Sequence, residues 1–492
     1  MRMSQKAGKL WPQFLITILC NISSLSFGLQ AGWLSPLQPA LQSENSPLGG
    51  PPLTVEEISW IGSLPSISLI VCSPVFGYLM NRFGRKKACF IATAPNILNY
   101  LLLIFANNVY MVYVARLIGG FCSTGGFIVA PVYINETCEA RWRGFLGGLM
   151  GAFIKIGIIV SYIIGGYMSY FMLNLISMAF TVFYVFCYLW MPESPVYLMT
   201  VDKKEEAKES LLKMRGAEYT GVDKEISQIE YLINEVQGTS EKYTMKSFFK
   251  TRATRRALII VCGVYTVQML GGYPAIVRYT VDIFRRSDST MSPRMAAIML
   301  GIAQLLSSIV GASLMDRLGR KFLLLLFTFT MSISLLSFSG YLFLKSVIDE
   351  SSFGGVLKYV PLVSMLAYIS SYATAYGSVP FVLVPELFAP EARAAGAAFS
   401  NLWISIFEFI VVKMFPTVTE YIGLLSSLLI FSGNCAVGLI FLQFVMFETK
   451  GLEFEVVYKK LIGKKTEKVN SFEGKALDPL ITNPSEKNSL KV

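Results

Sequence analysis

The chain has 492 residues, is 53% hydrophobic and only 15% charged, and carries a formal net charge of +11 with no histidine at all. Soluble globular proteins hold about 25% charged residues, and one packed core cannot absorb so much apolar side chain, so a mean hydropathy of +0.54 points to a helical membrane protein. The absence of histidine removes the commonest general base, metal ligand and proton shuttle together. With no nucleophile–base constellation, an enzyme is excluded, and neither a metal nor another cofactor is expected.

In chain order, twelve apolar runs are long enough to cross a hydrocarbon core of about 30 Å. They fall near 13–34, 57–80, 88–106, 110–132, 144–165 and 168–190, then near 257–281, 292–314, 322–344, 359–383, 397–416 and 421–446. The first lacks a small-residue cleavage site and exceeds a signal h-region, so it reads as a retained helix. Between the sixth and seventh, KKEEAKESLLKMRG and DKEISQIEYLINEVQG place Leu211, Leu212 and Met214, and Ile226, Ile229, Leu232 and Ile233, at helical spacing. They predict short cytoplasmic helices lying against the bundle. The expected organisation is an all-α membrane protein with a six-helix half over 13–190, a cytoplasmic helical linker over 191–256, a second six-helix half over 257–446 and a tail over 447–492. The tail is polar and reads as mostly disordered. Its DPLI stretch, Asp478–Ile481, has the pattern of an acidic–leucine sorting signal, one that also arises by chance.

Basic residues orient the chain. With both termini cytoplasmic, outside loops hold only Arg285, Arg286, Arg294, Lys345 and Lys358 of the 43 Lys and Arg. Such a bias sets topology, and basic loops facing anionic lipid account for the positive charge without nucleic acid. The eight cysteines are scattered without metal spacing and read as small packing residues.

The two halves repeat three charged motifs in the same order. GYLMNRFGRKK, with Arg82 and Arg85, matches ASLMDRLGRKF, with Asp316, Arg317 and Arg320. In INETCEARWRG, Glu136 stands seven residues before Arg143; in PELFAPEARAAG, Glu386 stands seven before Arg393. MPESPVYL, with Glu193, closes the first half, and MFETKGLE, with Glu448, closes the second. Positive-inside charge alone needs no glutamates at matched spacing. Tandem halves with a solute site between them near mid-membrane are a transporter architecture. The cations and acids can pair within a half, locking the inward side shut until the halves rock.

Ionisable residues within spans are functional candidates. Lys155 lies mid-fifth span, four residues after Gly151 and on its face; Glu408 lies mid-eleventh span. The two either face the central cavity, as an ion pair or as contacts for a charged solute, or have a packing or snorkelling role. Arg116 has a pairing role at least as much as a functional one, and Lys413 is read as snorkelling near the outer end. In the seventh span, QMLGGYPAIVRYT holds Gly271, Gly272 and Pro274 where a helix should run. Pro274 predicts a kink, the glycines permit close packing or unwinding, and Arg278, one turn further on, is expected to snorkel outward or to close the mouth over a solute.

These motifs, from residue 13 to 455, resemble the sugar porter family of the major facilitator superfamily. The carriers are GYLMNRFGRK, RLIGGFCSTGG from Arg116, YINETCEARWRG, PESPVYL, DRLGRK, PELF with Arg393, and FETKG. GWLSP at Gly32–Pro36 looks most like the insect facilitated trehalose transporter group. The resemblance implies facilitated movement of a hexose or trehalose-like disaccharide by alternating access, by a monomer in the plasma membrane, with polar side chains of the fifth, seventh, tenth and eleventh spans on the sugar. Several positions depart from the family pattern. Its fifth-span glutamine falls on Gly151. Of the seventh-span QQxSGxN, Gln268 and Gly272 remain, while Met269 and Pro274 replace a glutamine and the asparagine. Phe381 replaces the tenth-span tryptophan. The eleventh-span asparagine–tryptophan pair falls on Ile404 and Ser405, or on Asn401 and Leu402 in a shifted register. The proton-coupling acid of symporting relatives falls on Gln30, so uniport is expected. Gln268 and Gln304 remain as candidate sugar contacts. A charged or less hydroxylated solute, or a sensor with little flux, are the alternatives.

Overall fold

The computed structural model describes residues 8–216, 219–238, 249, 251–287, 291–347, 355–389, 392–452 and 454–463. The tail from Lys464, with its DPLI stretch, and the side chain of Asp316 lie outside the described residues. Among the described residues, ten helices are long and apolar enough to cross a membrane: Leu10–Leu41, Val55–Phe83, Arg85–Ile104, Val109–Thr137, Arg141–Tyr167, Tyr170–Tyr188, Arg252–Ser287, Pro293–Met315, Arg320–Val347 and Ala395–Val445. Two breaks bring the crossings to the twelve expected. Gly423, at φ +87°, divides the last helix into an eleventh and a twelfth span. The tenth span consists of two pieces, Val360–Ala375 and Val379–Leu387, each too short to cross alone.

Local chemistry starts these spans. Thr54 and Glu57 form a reciprocal capping box at the second span, and Asn108, Ser169 and Ser292 cap the fourth, sixth and eighth. Each cap satisfies an amide that lipid could not. Spans then pack through small residues. A Cβ on Gly28 would stand 2.0 Å from the Ile154 carbonyl oxygen, and one on Gly157 would stand 2.2 Å from that of Leu25, so the first and fifth spans cross backbone to backbone.

The linker forms helices Pro195–Thr200, Lys204–Arg215 and Val222–Gly238. Leu198, Ala207, Leu211, Val222 and Ile226 make its small core. Arg215 pins it to the first half. The buried guanidinium donates to the Thr137 carbonyl and to Glu225 Oε1, both at 2.6 Å, and the Lys9 amide donates to the Arg215 carbonyl at 2.9 Å.

The halves meet at the end opposite the linker, here called the far face. There Lys413 Nζ donates to Ser59 Oγ at 2.7 Å, the Val281 amide donates to Ser35 Oγ at 3.1 Å, and Tyr162 Oη donates to the Val277 carbonyl at 2.6 Å. The Lys413 ammonium also sits 4.0 Å from the centre of the Trp60 ring, so this residue joins the halves rather than snorkelling free. At the linker face the second-span Arg82, the fifth-span Arg143, and Arg317 and Arg393 of the second half are exposed. The linker-side glycines Gly144, Gly147 and Gly148 have nothing within 4 Å of a built Cβ. The bundle is shut at the far face and open at the linker face.

Candidate functional site

At the linker face each half builds the same charge cluster. In the first, Arg85 Nη2 meets Glu136 Oε1 at 2.8 Å, and the Ser194 hydroxyl donates to the other Glu136 oxygen. In the second, Arg320 Nη2 meets Glu386 Oε1 at 3.0 Å, and Thr449 Oγ1 donates to Glu386 Oε2 at 2.6 Å. Glu193 Oε1 accepts from the Arg85, Lys86 and Ser194 amides at 2.8–2.9 Å, so it caps the third span. Glu448 does the same for the ninth, accepting from Arg320, Lys321, Thr449 and Lys450 amides at 2.9–3.0 Å. A carboxylate at a helix N-terminus meets the positive end of the dipole. The two caps differ electrostatically. Burial raises the Glu193 carboxyl above its usual range despite its backbone donors. Burial also raises Glu448, but its four backbone donors outweigh this and hold it below the usual range.

These pairs lie within halves, and with them formed the linker face stands open. Arg82, Arg143, Arg317 and Arg393 make no ion pair among the described residues; Arg143 and Arg393 donate only to the Cys138 and Phe388 carbonyls, at 3.5 and 3.3 Å. The physical reason is the splay of the linker face, which carries the two clusters apart.

The seventh span breaks one turn before its proline. Its first helix ends at Leu270, Gly272 adopts φ +95°, and a second helical stretch, Tyr273–Ser287, kinked at Tyr279, starts with Pro274 at its second position. Pro274 therefore opens a helix instead of bending one, because its missing amide costs nothing in a first turn. The left-handed turn falls to Gly272, where only glycine is unstrained. A Cβ there would also stand 2.3 Å from Phe431. The freed Gly271 carbonyl accepts from Tyr368 Oη at 2.8 Å.

Tyrosines occupy the surroundings of both candidate glutamines. Gln268 Nε2 donates to Tyr372 Oη at 2.8 Å, and Gln304 Nε2 donates to Tyr273 Oη at 2.6 Å. The Tyr273 and Tyr372 rings stack face to face, 3.5 Å apart and 6° from parallel. Tyr376 stacks next in line and shares a 2.6 Å hydrogen bond with Thr328. The Gln268 carbonyl oxygen is buried without a partner. This ladder matches no family position and carries no charge, so neither criterion applied to the sequence selects it. Its signal is present in YISSYATAY, where Tyr368, Tyr372 and Tyr376 fall every four residues, on one helical face.

A cleft between the halves is lined by Gln30, Ser66, Arg116, Ser123, Arg278 and Glu408, with Phe27 beside them. Arg116 is 1% exposed and has no carboxylate partner among the described residues. Its Nη1 donates to Gln30 Oε1 at 2.6 Å, its Nη2 to the Gln30 carbonyl and its Nε to the Ile61 carbonyl, both at 3.2 Å. Gln30 passes the polarity on, donating to Asn96 Oδ1 at 3.1 Å. Across the cleft Arg278 Nη2 donates to Glu408 Oε1 at 2.5 Å. Two expectations are thereby corrected. Glu408 pairs with Arg278, not Lys155, and Arg278 is buried, not at the outer interface. Arg278 follows the helix break and lines the cleft, where a part-buried carboxylate is stabilised by a cation within reach. Lys155 is buried and donates to the Gly151 carbonyl at 3.1 Å. Phe381 is exposed and meets Phe127 of the other half at 6.1 Å, with Phe27 stacked on Phe127 at 5.7 Å, so an aromatic row bounds the cleft toward the linker face.

Comparison with known proteins gives this geometry its family. Residues 16–460 match the family described as "Sugar (and other) transporter". A facilitated trehalose transporter, Tret1, of Bombyx mori is 30% identical over 92% of this chain and 87% of its own length. That of Polypedilum vanderplanki is 28% identical over 92% of this chain and 89% of its own. The Aedes aegypti relative, 27% identical, is longer, and the chain spans only 56% of it. Among solved structures, the inward open conformation of the xylose transporter XylE from E. coli superposes with a TM-score of 0.74 at 20% identity, over 90% of this chain and 99% of that one. XylE bound to 6-bromo-6-deoxy-D-glucose gives 0.71 at 20% identity, over 91% and 99%. These structures share the twelve-helix major facilitator fold. The matched charge clusters, the broken seventh span and the near-complete family match lead to one assignment: the chain belongs to the sugar (and other) transporter family.

Proposed function

We propose that the protein is a facilitative sugar transporter that works by alternating access, as a uniporter, with a hexose or a trehalose-like disaccharide as cargo. The observation that carries this reading is the asymmetry of the two faces. The halves are bonded at the far face, while matched carboxylate–arginine clusters stand apart at the linker face, as one end-state of a rocking pair would have them. The second end-state would close the linker face by bringing Arg143 and Arg393 toward the opposing cluster and Phe127 more tightly onto Phe381, while releasing Lys413 from Ser59. Gln30 supports uniport. It occupies the place beside Arg116 with an amide, which does not take up and release a proton in the physiological range. The charge distribution along the chain supports a cytoplasmic linker and cytoplasmic termini, and the insect relatives support a plasma-membrane location. Reconstituted protein should show saturable uptake of a labelled sugar that is accelerated by the same sugar on the other side and is indifferent to an imposed proton gradient. No flux for any hexose or disaccharide in a panel overturns the reading; flux that needs a proton gradient overturns uniport.

A further inference from the structure

The space between the halves holds more positive charge than it neutralises. Arg116 and Arg278 both line the cleft, 1% and 7% exposed, and Glu408 is the only carboxylate among its described lining. Glu408 is engaged by Arg278. Asp282, one turn beyond Arg278, is held by Arg286 at 2.9 Å. That leaves Arg116 with an amide and carbonyls as partners. Lys155, outside the described lining of the cleft, is a third buried cation. It lies seven residues before Tyr162 on the same helical face, and Tyr162 reaches across to the seventh span at Val277. Its ammonium bonds only its own helix and stands 3.6 Å from where a Cβ on Gly151 would be, the place where the family's sugar-reading glutamine would emerge.

Unsatisfied polar atoms belong to residues that line the same cleft. Arg278 Nε and the Ser66 hydroxyl are buried, line the cleft and have no partner. A neutral polyol could accept from both but would leave the excess charge buried, which low-dielectric surroundings penalise. A carboxylate answers both demands, because it accepts paired hydrogen bonds from a guanidinium and carries the missing charge. We propose that the preferred cargo is a sugar bearing a carboxylate, a uronic or aldonic acid, with its acid group on Arg278 and Arg116 and its hydroxyls on Ser66 and Ser123. Lys155 supplies the countercharge as the anion moves toward the linker face. This inference rests on the sugar-transport reading above.

The test uses the full chain in proteoliposomes with labelled D-glucose and labelled D-glucuronate as probes. The expected result is glucuronate uptake faster than glucose uptake, glucose uptake inhibited by glucuronate, and glucuronate uptake accelerated by an inside-positive diffusion potential, since a net charge crosses. The double variant Arg278→Gln/Glu408→Gln leaves no lone buried carboxylate and so guards against misfolding. In it, and in Lys155→Gln, the glucuronate-to-glucose uptake ratio should fall about tenfold, the loss of one charge-assisted contact. Glucose uptake that glucuronate neither inhibits nor matches overturns the carboxylate inference and leaves sugar transport standing. Uptake of neither probe, nor of any neutral sugar, by monodisperse protein overturns both.

Discussion

Arg278 and Glu408, 130 residues apart in the chain, meet at 2.5 Å between the seventh and eleventh spans. Arg278 lies between two departures of the seventh span from helical geometry, the left-handed turn at Gly272 and a kink at Tyr279. Removing Glu408 leaves Arg278 charged, buried and alone, at a cost of about 3–5 kcal/mol; removing Arg278 leaves Glu408 part-exposed and costs less. Glu408→Gln should lower the thermal transition in detergent markedly and Arg278→Gln less, while the double variant recovers most of the loss. Additive losses in the double variant would show that the pair contributes nothing to stability as a pair.

The break itself is testable. Gly272→Ala places a Cβ in a left-handed conformation and against the Phe431 ring. The expected destabilisation is about 1–3 kcal/mol from the backbone alone, read as a fall in the transition temperature. Pro274→Ala, at a first-turn position where proline is only preorganising, should cost less than about 1 kcal/mol. Equal effects of the two substitutions would contradict the assignment of the break to Gly272.

Much of this architecture was legible in the sequence, for physical reasons that differ from site to site. Spans declare themselves because a hydrocarbon core demands unbroken apolar length, and the repeated Arg85–Glu136 and Arg320–Glu386 clusters because matched carboxylates serve no topological purpose. The partner of Glu408 was not legible. Lys155, Arg278 and Lys413 all lay within plausible reach, and only the direction of the seventh span after Gly272 selects Arg278. Proline's reputation as a helix breaker likewise drew attention to Pro274 and away from the glycine before it. The tyrosine ladder at 368, 372 and 376 was visible as a period of four, but its role depends on Gln268 and Gln304, which come from other spans.

The two helix-capping glutamates should respond oppositely to pH. Burial raises the Glu193 carboxyl, so the folded state favours its protonated form. The stability this contributes is full below the unfolded value and is lost as pH rises through the folded one. Glu448 is lowered, so its contribution is full above the unfolded value and is lost as pH falls through the folded one. At neutral pH, Glu193→Gln should leave the transition temperature unchanged or raised. Glu448→Gln should lower it, by an amount corresponding to about 1.5–3 kcal/mol for hydrogen bonds to a charged group, with the deficit shrinking on acidification. A Glu193→Gln loss equal to that of Glu448→Gln at neutral pH would refute the asymmetry.

Gln30 offers the sharpest test of why the protein should not couple to protons. Its side-chain oxygen accepts from Arg116 Nη1 at 2.6 Å, in a site closed by the Trp33 ring, 5.0 Å from the guanidinium. Gln30→Asp, one methylene shorter, would put a titratable carboxylate beside a buried cation that now has none. Protonating it would weaken its hold on Arg116, so the balance between the two end-states becomes pH-dependent. Uptake by this variant should vary with external pH over a range where the parent is flat, and an imposed proton gradient should accelerate it. A flat pH profile in a folded, transporting Gln30→Asp protein would mean that the Arg116–Gln30 contact does not change between the two end-states.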